Sequence, residues 1–295
     1  MCGFSIIPKN ISSNFMNFDY APIRNKPSFE APWEGNCLKK PWDYQVCVVI
    51  PVLDTYEQLN ICVELLRRQT VSPFIIVIDT GSTDQELNKI TSLRSDDLEV
   101  HSLRFNGVCH PSDLPAIAMD LAFSMCRNNF LFATHADVFV KRKNLLENFI
   151  ELCKKESPVV GYEISPRAHN DWKGMVSHTA TMYHMSTMDK IGFGWSLRRL
   201  CNIFGIKDSK PNPNRPCWPD TELLGNYILK QNDIKPHLVG SEKNFKRTND
   251  ENIDHFRSFT SGKLYSDSYF SLANKWYNQA RTEALERIEE WKSGN

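Results

Sequence analysis

Residues 48–84, VVIPVLDTYEQLNICVELLRRQTVSPFIIVIDTGSTD, decide the fold class of this chain. Their first residues belong to a continuous β-branched run, 45–52, which is typical of a strand buried on both faces. Apolar residues at helical spacing over 56–69 predict an amphipathic helix, and 74–78 (FIIVI) is a second buried strand. A strand, a helix and a strand in this order predict a βαβ unit with parallel strands.

The same alternation continues along the first half of the chain. The patterns predict helix 85–93, strand 98–103, helix 114–126, strand 130–133 and helix 145–153. The less regular second half holds predicted strands at 159–164 and 177–184 and a helix at 221–231. We therefore expect an α/β fold with a Rossmann-like, mostly parallel central sheet and flanking helices.

The composition is typical of a soluble globular protein. The chain has 295 residues, of which 41% are apolar and 24% charged, with 35 basic and 35 acidic residues. Zero net charge argues against a dedicated nucleic-acid-binding protein, which needs an excess of cations. Nine cysteines without a CxxC pair indicate reduced thiols and a cytoplasmic location. We find neither a signal peptide nor an apolar run of membrane-spanning length.

The sequence divides into three parts. Residues 1–44 contain five prolines and several aromatic residues, which predict an irregular N-terminal arm packed on the body. Residues 45–262 are expected to form the α/β domain. Residues 263–295 carry an amphipathic stripe, which predicts a C-terminal helix packed on that domain.

An aspartate follows each of three predicted strands. Asp54 follows VVIPV, Asp79 follows FIIVI, and Asp137 lies within 131–140, LFATHADVFV. The carboxyl ends of parallel strands share one edge of a sheet, where such folds bind ligands. Three carboxylates there suggest a nucleotide and a metal, although any one of them could instead cap a turn.

Several common motifs are missing from the sequence. It contains no GxGxxG, GxxxxGK[ST], GxSxG or HExxH. Dinucleotide-binding, P-loop, α/β-hydrolase and zincin functions therefore lose support.

The opening stretch resembles family 2 glycosyltransferases of the GT-A fold. VVIPVLDTYEQLNICVELLRRQT and FIIVIDTGSTD carry the resemblance, which extends over roughly residues 45 to 260. LFATHADVFV falls where that family has its DxD metal motif, with His135 at the first position and Asp137 as the metal-binding aspartate. The resemblance implies nucleotide binding by Pro51, Val52, Asp54, Asp79, His135 and Asp137.

Two downstream segments extend the resemblance. CWPDTELLGNYILKQN, 217–232, is similar to the segment that supplies the catalytic base. It implies Asp220 as that base, with Glu222 as the nearby alternative. IDHFRSF, 253–259, is similar to a C-terminal histidine element, which implies His255 as a second metal ligand and leaves His237 as its rival.

Four further side chains have two interpretations each. Trp195 and Trp218 flank the expected acceptor side, where aromatic faces suit sugar rings, but core packing explains them equally well. Arg247 and Arg257 are placed either to meet a diphosphate or to face solvent.

These residue types suit sugar transfer from a nucleotide-sugar donor. A divalent cation stabilises a leaving diphosphate as a Lewis acid, and a carboxylate with an imidazole favours Mn²⁺ over Mg²⁺. A carboxylate base takes the proton of the acceptor hydroxyl. Asp79 is expected to accept a hydrogen bond from the ring N–H of a pyrimidine base. The resemblance implies an inverting enzyme with a UDP-sugar as default donor and GDP- or dTDP-sugars as alternatives.

Other partners and functions stay open at this point. The acceptor is a saccharide, a lipid-linked sugar, a protein side chain, a small metabolite or a modified nucleobase, and the oligomeric state is not indicated. His135 motivates a second hypothesis, a nucleotide-sugar-binding protein with impaired catalysis. A nucleotidyltransferase is a third, but it would need a glycine-rich loop where this chain has VLDTYEQ.

Overall fold

The computed structural model describes residues 43–103, 113–126, 128–164, 173–195, 221–242, 247–256 and 289. The N-terminal arm predicted over 1–44 and the C-terminal helix predicted over 263–295 lie outside these residues, apart from 43, 44 and 289. Asp220, Trp218 and Arg257 also lie outside them.

A seven-stranded sheet forms the centre of the described structure. Its strands are β1 (Val46–Val52), β2 (Phe74–Asp79), β3 (Leu98–Ser102), β4 (Phe130–Thr134), β6 (Val159–Glu163), β7 (Val176–His184) and β8 (His237–Ser241). Their spatial order is β3-β2-β1-β4-β7-β6-β8. The strand β7 runs antiparallel to β4 and β6, and the other neighbours pair in parallel. The prediction of an α/β fold with a mostly parallel sheet is confirmed.

Helices cover the sheet. They are α1 (Tyr56–Arg67), α2 (Asp84–Thr91), α3 (Asp113–Met125), α4 (Leu145–Lys155), α5 (Met185–Ile191) and α6 (Thr221–Gln231). None of the helices in the described ranges is long and apolar enough to cross a membrane.

The central strand β1 explains why its sequence is apolar without alternation. Val46, Val48 and Ile50 belong to one hydrophobic core, whereas Cys47 and Val49 belong to the core on the other face of the sheet. The strand is therefore buried on both faces, as its β-branched run predicts. The four cysteines in the described part of the chain are buried thiols, in agreement with the expected reduced state.

A second, three-stranded sheet was not predicted. It consists of β5 (Val138–Val140), β10 (Ile253–His255) and β9 (Thr248–Asn249), in the order β5-β10-β9. Both of its pairings are antiparallel. Strands of two or three residues leave no periodic pattern in the sequence, and the partners of β5 lie far downstream, so local reasoning does not find them.

We predict that Gly161→Ala destabilises the fold, because β6 and β7 approach too closely to admit a methyl group. A Cβ at residue 161 would clash most closely with Thr181 Oγ1, which Thr181→Ala removes, and it would lie 2.8 Å from Thr181 Cβ and 2.9 Å from Val176 Cγ2. The free energy of unfolding in urea should fall by about 1–3 kcal/mol, as for other overpacked cores. The double variant with Thr181→Ala should show a smaller loss than the sum of the two single losses. Strict additivity would contradict the proposed clash.

Candidate active site

The turns that follow β1 and β2 are joined by reciprocal hydrogen bonds. The Asp54 backbone N–H donates to Ser82 Oγ at 2.7 Å, and the Thr83 N–H donates to Asp54 Oδ1 at 2.8 Å. Asp54 adopts a left-handed conformation with φ of 50°, which Asp tolerates better than most residues. Asp54 therefore fixes one turn against the other, a role that also explains its position at the strand end.

Asp79 is fully buried at the end of β2. Its Oδ1 accepts a hydrogen bond from the Ser82 N–H at 3.0 Å, and its Oδ2 accepts one from Ser102 Oγ at 2.9 Å. This is the geometry of the turn-capping alternative, and contact with a pyrimidine base stays a prediction. Pro51 and Val52 lie beside it at the end of β1, where Val52 pairs with Asp79.

Asp137 and His255 come together at the junction of the two sheets. Asp137 follows β4, and its backbone carbonyl accepts a hydrogen bond from the Phe256 N–H at 3.0 Å. His255 ends β10 and pairs with Val138 of β5. As a result, His255 Nε2 lies 3.8 Å from Asp137 Oδ1, and both side chains are buried. The rival histidine, His237, starts β8 at the outer edge of the large sheet.

This pair fits a divalent cation that has further ligands. With metal–ligand bonds of about 2.1 Å, two donors on one octahedral ion lie about 3.0 Å apart when adjacent and about 4.2 Å apart when opposite. The Asp137–His255 distance of 3.8 Å falls within this range. Within the described ranges, no three His, Cys, Asp or Glu side chains are arranged to hold a metal. Ions of this kind commonly take their remaining ligands from substrate phosphates and water.

His135 forms part of a cluster of three imidazoles with His178 and His255. Its ring centroid lies 4.5 Å from that of His178 and 6.5 Å from that of His255. Burial of the His135 ring lowers its pKa well below the ordinary value of 6.5, and the two neighbouring imidazoles lower it further. His135 therefore stands as a neutral imidazole two residues before Asp137.

Two buried glutamates contact the other two imidazoles. Glu222, at the start of α6, places Oε1 2.8 Å from Nδ1 of His178 on β7. Glu242, which follows β8, places Oε1 3.9 Å from Nδ1 of His255 and accepts a hydrogen bond from Ser177 Oγ at 2.8 Å. Neither His178 nor Glu242 was predicted as a site residue. A histidine inside a buried strand and a glutamate after a short edge strand carry no local signal.

Arg247 stabilises the three-stranded sheet. Its guanidinium forms a bidentate pair with the buried Asp254, with distances of 2.6 and 2.5 Å, and lies 5.0 Å from the centroid of the Phe256 ring. These contacts hold β10, and so His255, in place. They give no support to the prediction that Arg247 meets a diphosphate.

Trp195 is packed in the core. Its ring makes edge contacts with Phe123, Tyr183 and Phe193, and only 1% of its surface is exposed. Its backbone N–H donates to Asp120 Oδ1 at 2.9 Å. This is the position that the core-packing alternative predicts, and a contact between Trp195 and an acceptor stays a prediction.

Comparison with protein families gives one assignment. The family model described as Glycosyl transferase family 2 matches residues 47–207, which is more than half of the 295-residue chain. A search of curated proteins finds no match.

Solved structures with a similar fold share little sequence with this chain. S. aureus TarS is 13% identical, with a TM-score of 0.47 over 75% of this chain, and the match spans only 38% of the TarS chain. The mannosyltransferase PcManGT from Pyrobaculum calidifontis, in complex with GDP-Man and Mn²⁺, is 14% identical, with a TM-score of 0.48 over 86% of this chain and 79% of its own. Glucosyl-3-phosphoglycerate synthase from Mycobacterium tuberculosis, in complex with Mn²⁺, UDP-Glc and phosphoglyceric acid, is 10% identical, with a TM-score of 0.36 over 49% of this chain and 58% of its own.

We predict that Arg247→Leu destabilises the protein by about 2–4 kcal/mol, because it leaves the buried Asp254 carboxylate without its guanidinium. Urea denaturation measures the loss. Arg67→Leu is a matched control, since Arg67 makes a bidentate pair with Asp97 on the surface. Removal of that exposed pair should cost about 1 kcal/mol or less. Equal losses in the two variants would contradict the role assigned to Arg247.

We predict that His135 makes the stability of the chelator-treated protein fall as the pH drops below 6.5. The unfolded chain binds a proton there, whereas folded His135 stays neutral because its pKa is lowered. The contribution of one such group is at most about 1.4 kcal/mol per pH unit. Melting temperatures between pH 5 and 7.5 should therefore depend less on pH in His135→Asn than in the wild type. Identical slopes would rule out the lowered pKa.

Proposed function

The chain belongs to glycosyl transferase family 2, and from this premise we propose that it is a metal-dependent, inverting enzyme that uses a UDP-sugar. Glycosyl transfer itself follows from the family, and the fold is the GT-A fold. The metal, the donor and the stereochemical course are our proposals. The observation that supports the metal is the meeting of Asp137 and His255, 3.8 Å apart, at the edge where β1, β2 and β4 end, whereas the donor and the inversion are proposed from the resemblance to the family.

The donor diphosphate is proposed to lie between the aspartate turns and Asp137. The side chain of Asp137 and Nε2 of His255 would hold Mn²⁺ or Mg²⁺, and an imidazole ligand favours Mn²⁺. When bound, such an ion stabilises the negative charge that develops on the leaving diphosphate. Pro51, Val52 and Asp79 would then line the base and ribose.

Asp54 and His135 would complete the nucleotide site in different ways. Asp54 holds the two turns together through the Thr83 N–H and Ser82 Oγ, so it shapes the pocket for the nucleotide. His135 is neutral and half-buried, which suits a hydrogen bond to ribose or to a water molecule near the metal better than a charge contact.

Inversion requires one displacement and one base. The acceptor hydroxyl attacks the anomeric carbon in line with the departing diphosphate while a carboxylate takes its proton. The two candidates are Asp220, by resemblance, and Glu222, which is buried beside His178. Glu222 lies in the first turn of α6.

One observation favours a second candidate function. By resemblance, the imidazole of His135 replaces a carboxylate beside Asp137 and His255, the pair that we call the metal corner. It therefore lowers the negative charge available to a cation. A chain of this kind could bind a nucleotide sugar without turning it over.

We predict that purified protein with Mn²⁺ releases UDP from at least one UDP-sugar in a panel that includes UDP-glucose and UDP-N-acetylglucosamine. Asp137→Asn should lower the rate by at least about 100-fold, because the ion that stabilises the leaving group loses its carboxylate ligand. Asp189→Asn, on the exposed side of α5, is the matched control and should keep wild-type activity.

Binding separates the two candidate functions. UDP at 100 times its dissociation constant should stabilise the protein by about 2.7 kcal/mol, which thermal shift detects. UDP binding without turnover of any nucleotide sugar, in wild type and Asp137→Asn alike, would support the binding protein and exclude the enzyme.

A further inference from the structure

His178 and Glu222 form a buried pair beside the cluster of three imidazoles. His178 lies on β7 and Glu222 in the first turn of α6, so regular elements hold both side chains. Both residues are more than nine-tenths buried, and Nδ1 of His178 lies 2.8 Å from Oε1 of Glu222. A titratable pair held this rigidly costs desolvation energy that an apolar pair would avoid.

The second carboxylate oxygen of Glu222 has a different environment. Glu222 Oε2 is buried and has no hydrogen-bond partner among the residues that the structure describes. A buried acceptor without a donor is destabilising, and most buried polar atoms in native proteins avoid that state. An oxygen of this kind is suited to receive a hydrogen bond from a ligand that is bound only during function.

Folding of α6 does not explain the Glu222 carboxylate, because another side chain anchors that helix on β7. Asn226 accepts a hydrogen bond from the Val176 N–H at 2.9 Å and donates to the Val176 carbonyl at 2.8 Å. It also donates to the backbone carbonyl of Glu222 at 2.9 Å. These hydrogen bonds fix the helix to the strand without using the Glu222 carboxylate.

The pair lies next to the metal corner. The centroid of the His178 ring lies 4.5 Å from that of His135, with the two rings tilted by 45°. The His135 ring is 6.5 Å from that of His255, and His255 Nε2 lies 3.8 Å from Asp137 Oδ1. Contacts of side chains therefore connect Glu222 to the proposed site of the diphosphate. An in-line attack requires the base to lie near the acceptor, on the face of the sugar opposite the diphosphate, and a carboxylate adjoining the donor site but not among the residues proposed to hold the metal is available for that role.

We propose that Glu222 is the catalytic base and that His178 is the residue that positions it, an inference that rests on the proposed function. Glu222 Oε2 takes the proton of the acceptor hydroxyl while the acceptor oxygen bonds to the anomeric carbon. The bond from that carbon to the diphosphate oxygen breaks, and its electron pair leaves with the nucleoside diphosphate. His178 holds Oε1, so the carboxylate keeps Oε2 turned towards the acceptor.

The test compares kcat, KM and the dissociation constant of UDP in full-length variants, with Mn²⁺ and the UDP-sugar that the wild type hydrolyses fastest. Water takes the place of the acceptor hydroxyl in this assay. Glu222→Gln should lower kcat by about 10²–10⁴-fold, the usual contribution of a general base. The dissociation constant of UDP should stay within about twofold, since Glu222 acts only on the acceptor side.

His178 is tested by a pair of substitutions. His178→Leu should lower kcat by about 100-fold, as expected when a reacting group loses its orientation. His178→Gln keeps a nitrogen that can donate to Oε1, and it should recover at least about tenfold of that loss. A purely structural histidine would show equal losses in the two variants, and that result would overturn the positioning role.

Two matched variants sharpen the comparison. Glu99→Gln alters another His–Glu pair, in which Glu99 Oε2 lies 3.1 Å from His101 Nε2 on β3. This variant should keep kcat within about twofold of the wild-type value. Asp220→Asn should lower kcat less than Glu222→Gln does. The reverse order, or a Glu222→Gln enzyme within about threefold of wild-type kcat, would overturn Glu222 as the base.

Stability gives a readout that does not depend on turnover. Glu222→Gln should change the melting temperature by less than about 3 °C, which corresponds to about 1 kcal/mol in a domain of this size. A fall of more than about 8 °C together with weaker UDP binding would assign a structural role and overturn the proposal.

If the wild type releases no UDP from any sugar, the proposed function fails and this inference fails with it. If the wild type and Glu222→Gln are equally active, only this inference fails.

Discussion

The pairing of His255 with Val138 is the contact on which the candidate site depends. It joins a strand at the end of the described chain to the three residues that follow Asp137, and it places Nε2 of His255 3.8 Å from Oδ1 of Asp137. Three residues form this antiparallel ladder, which is too short to be stable in isolation. The Arg247–Asp254 pair and the burial of Phe256 compensate for that, because they fix the middle residue of the strand and the residue that follows it. The meeting of Asp137 and His255 is therefore a product of long-range packing.

Buried charges destabilise the fold, and several of them lie at the candidate site. Asp79, Asp137, Glu222 and Glu242 are all buried. Asp79 is satisfied by backbone and hydroxyl donors, which makes it a stable part of the fold. Glu222 combines an imidazole contact with an oxygen that has no donor in the described structure. This difference separates residues that build the sheet edge from residues whose geometry suits a ligand.

The sequence predicts the large sheet well because its strands are buried on both faces and carry strong local patterns. Each predicted strand from 45–52 to 177–184 is present within a residue or two. The local pattern does not predict β5, β9 and β10, because short strands with distant partners have no periodicity. The same limit applies to the site. Asp137 and His255 follow from a motif, whereas His178 is recognised only when α6 brings Glu222 to within 2.8 Å of it.

His135 stands where the resemblance implies a carboxylate, and under the proposed function this would change how the cation and the nucleotide depend on each other. A second carboxylate at the corner would attract a divalent ion before the donor arrives. A neutral imidazole supplies no such charge, and its lowered pKa keeps it neutral through the physiological range. More of the negative charge around the ion must then come from the donor diphosphate. Under the proposed function, binding of the ion and binding of the donor would then be coupled, and by linkage each would raise the affinity of the other by the same factor.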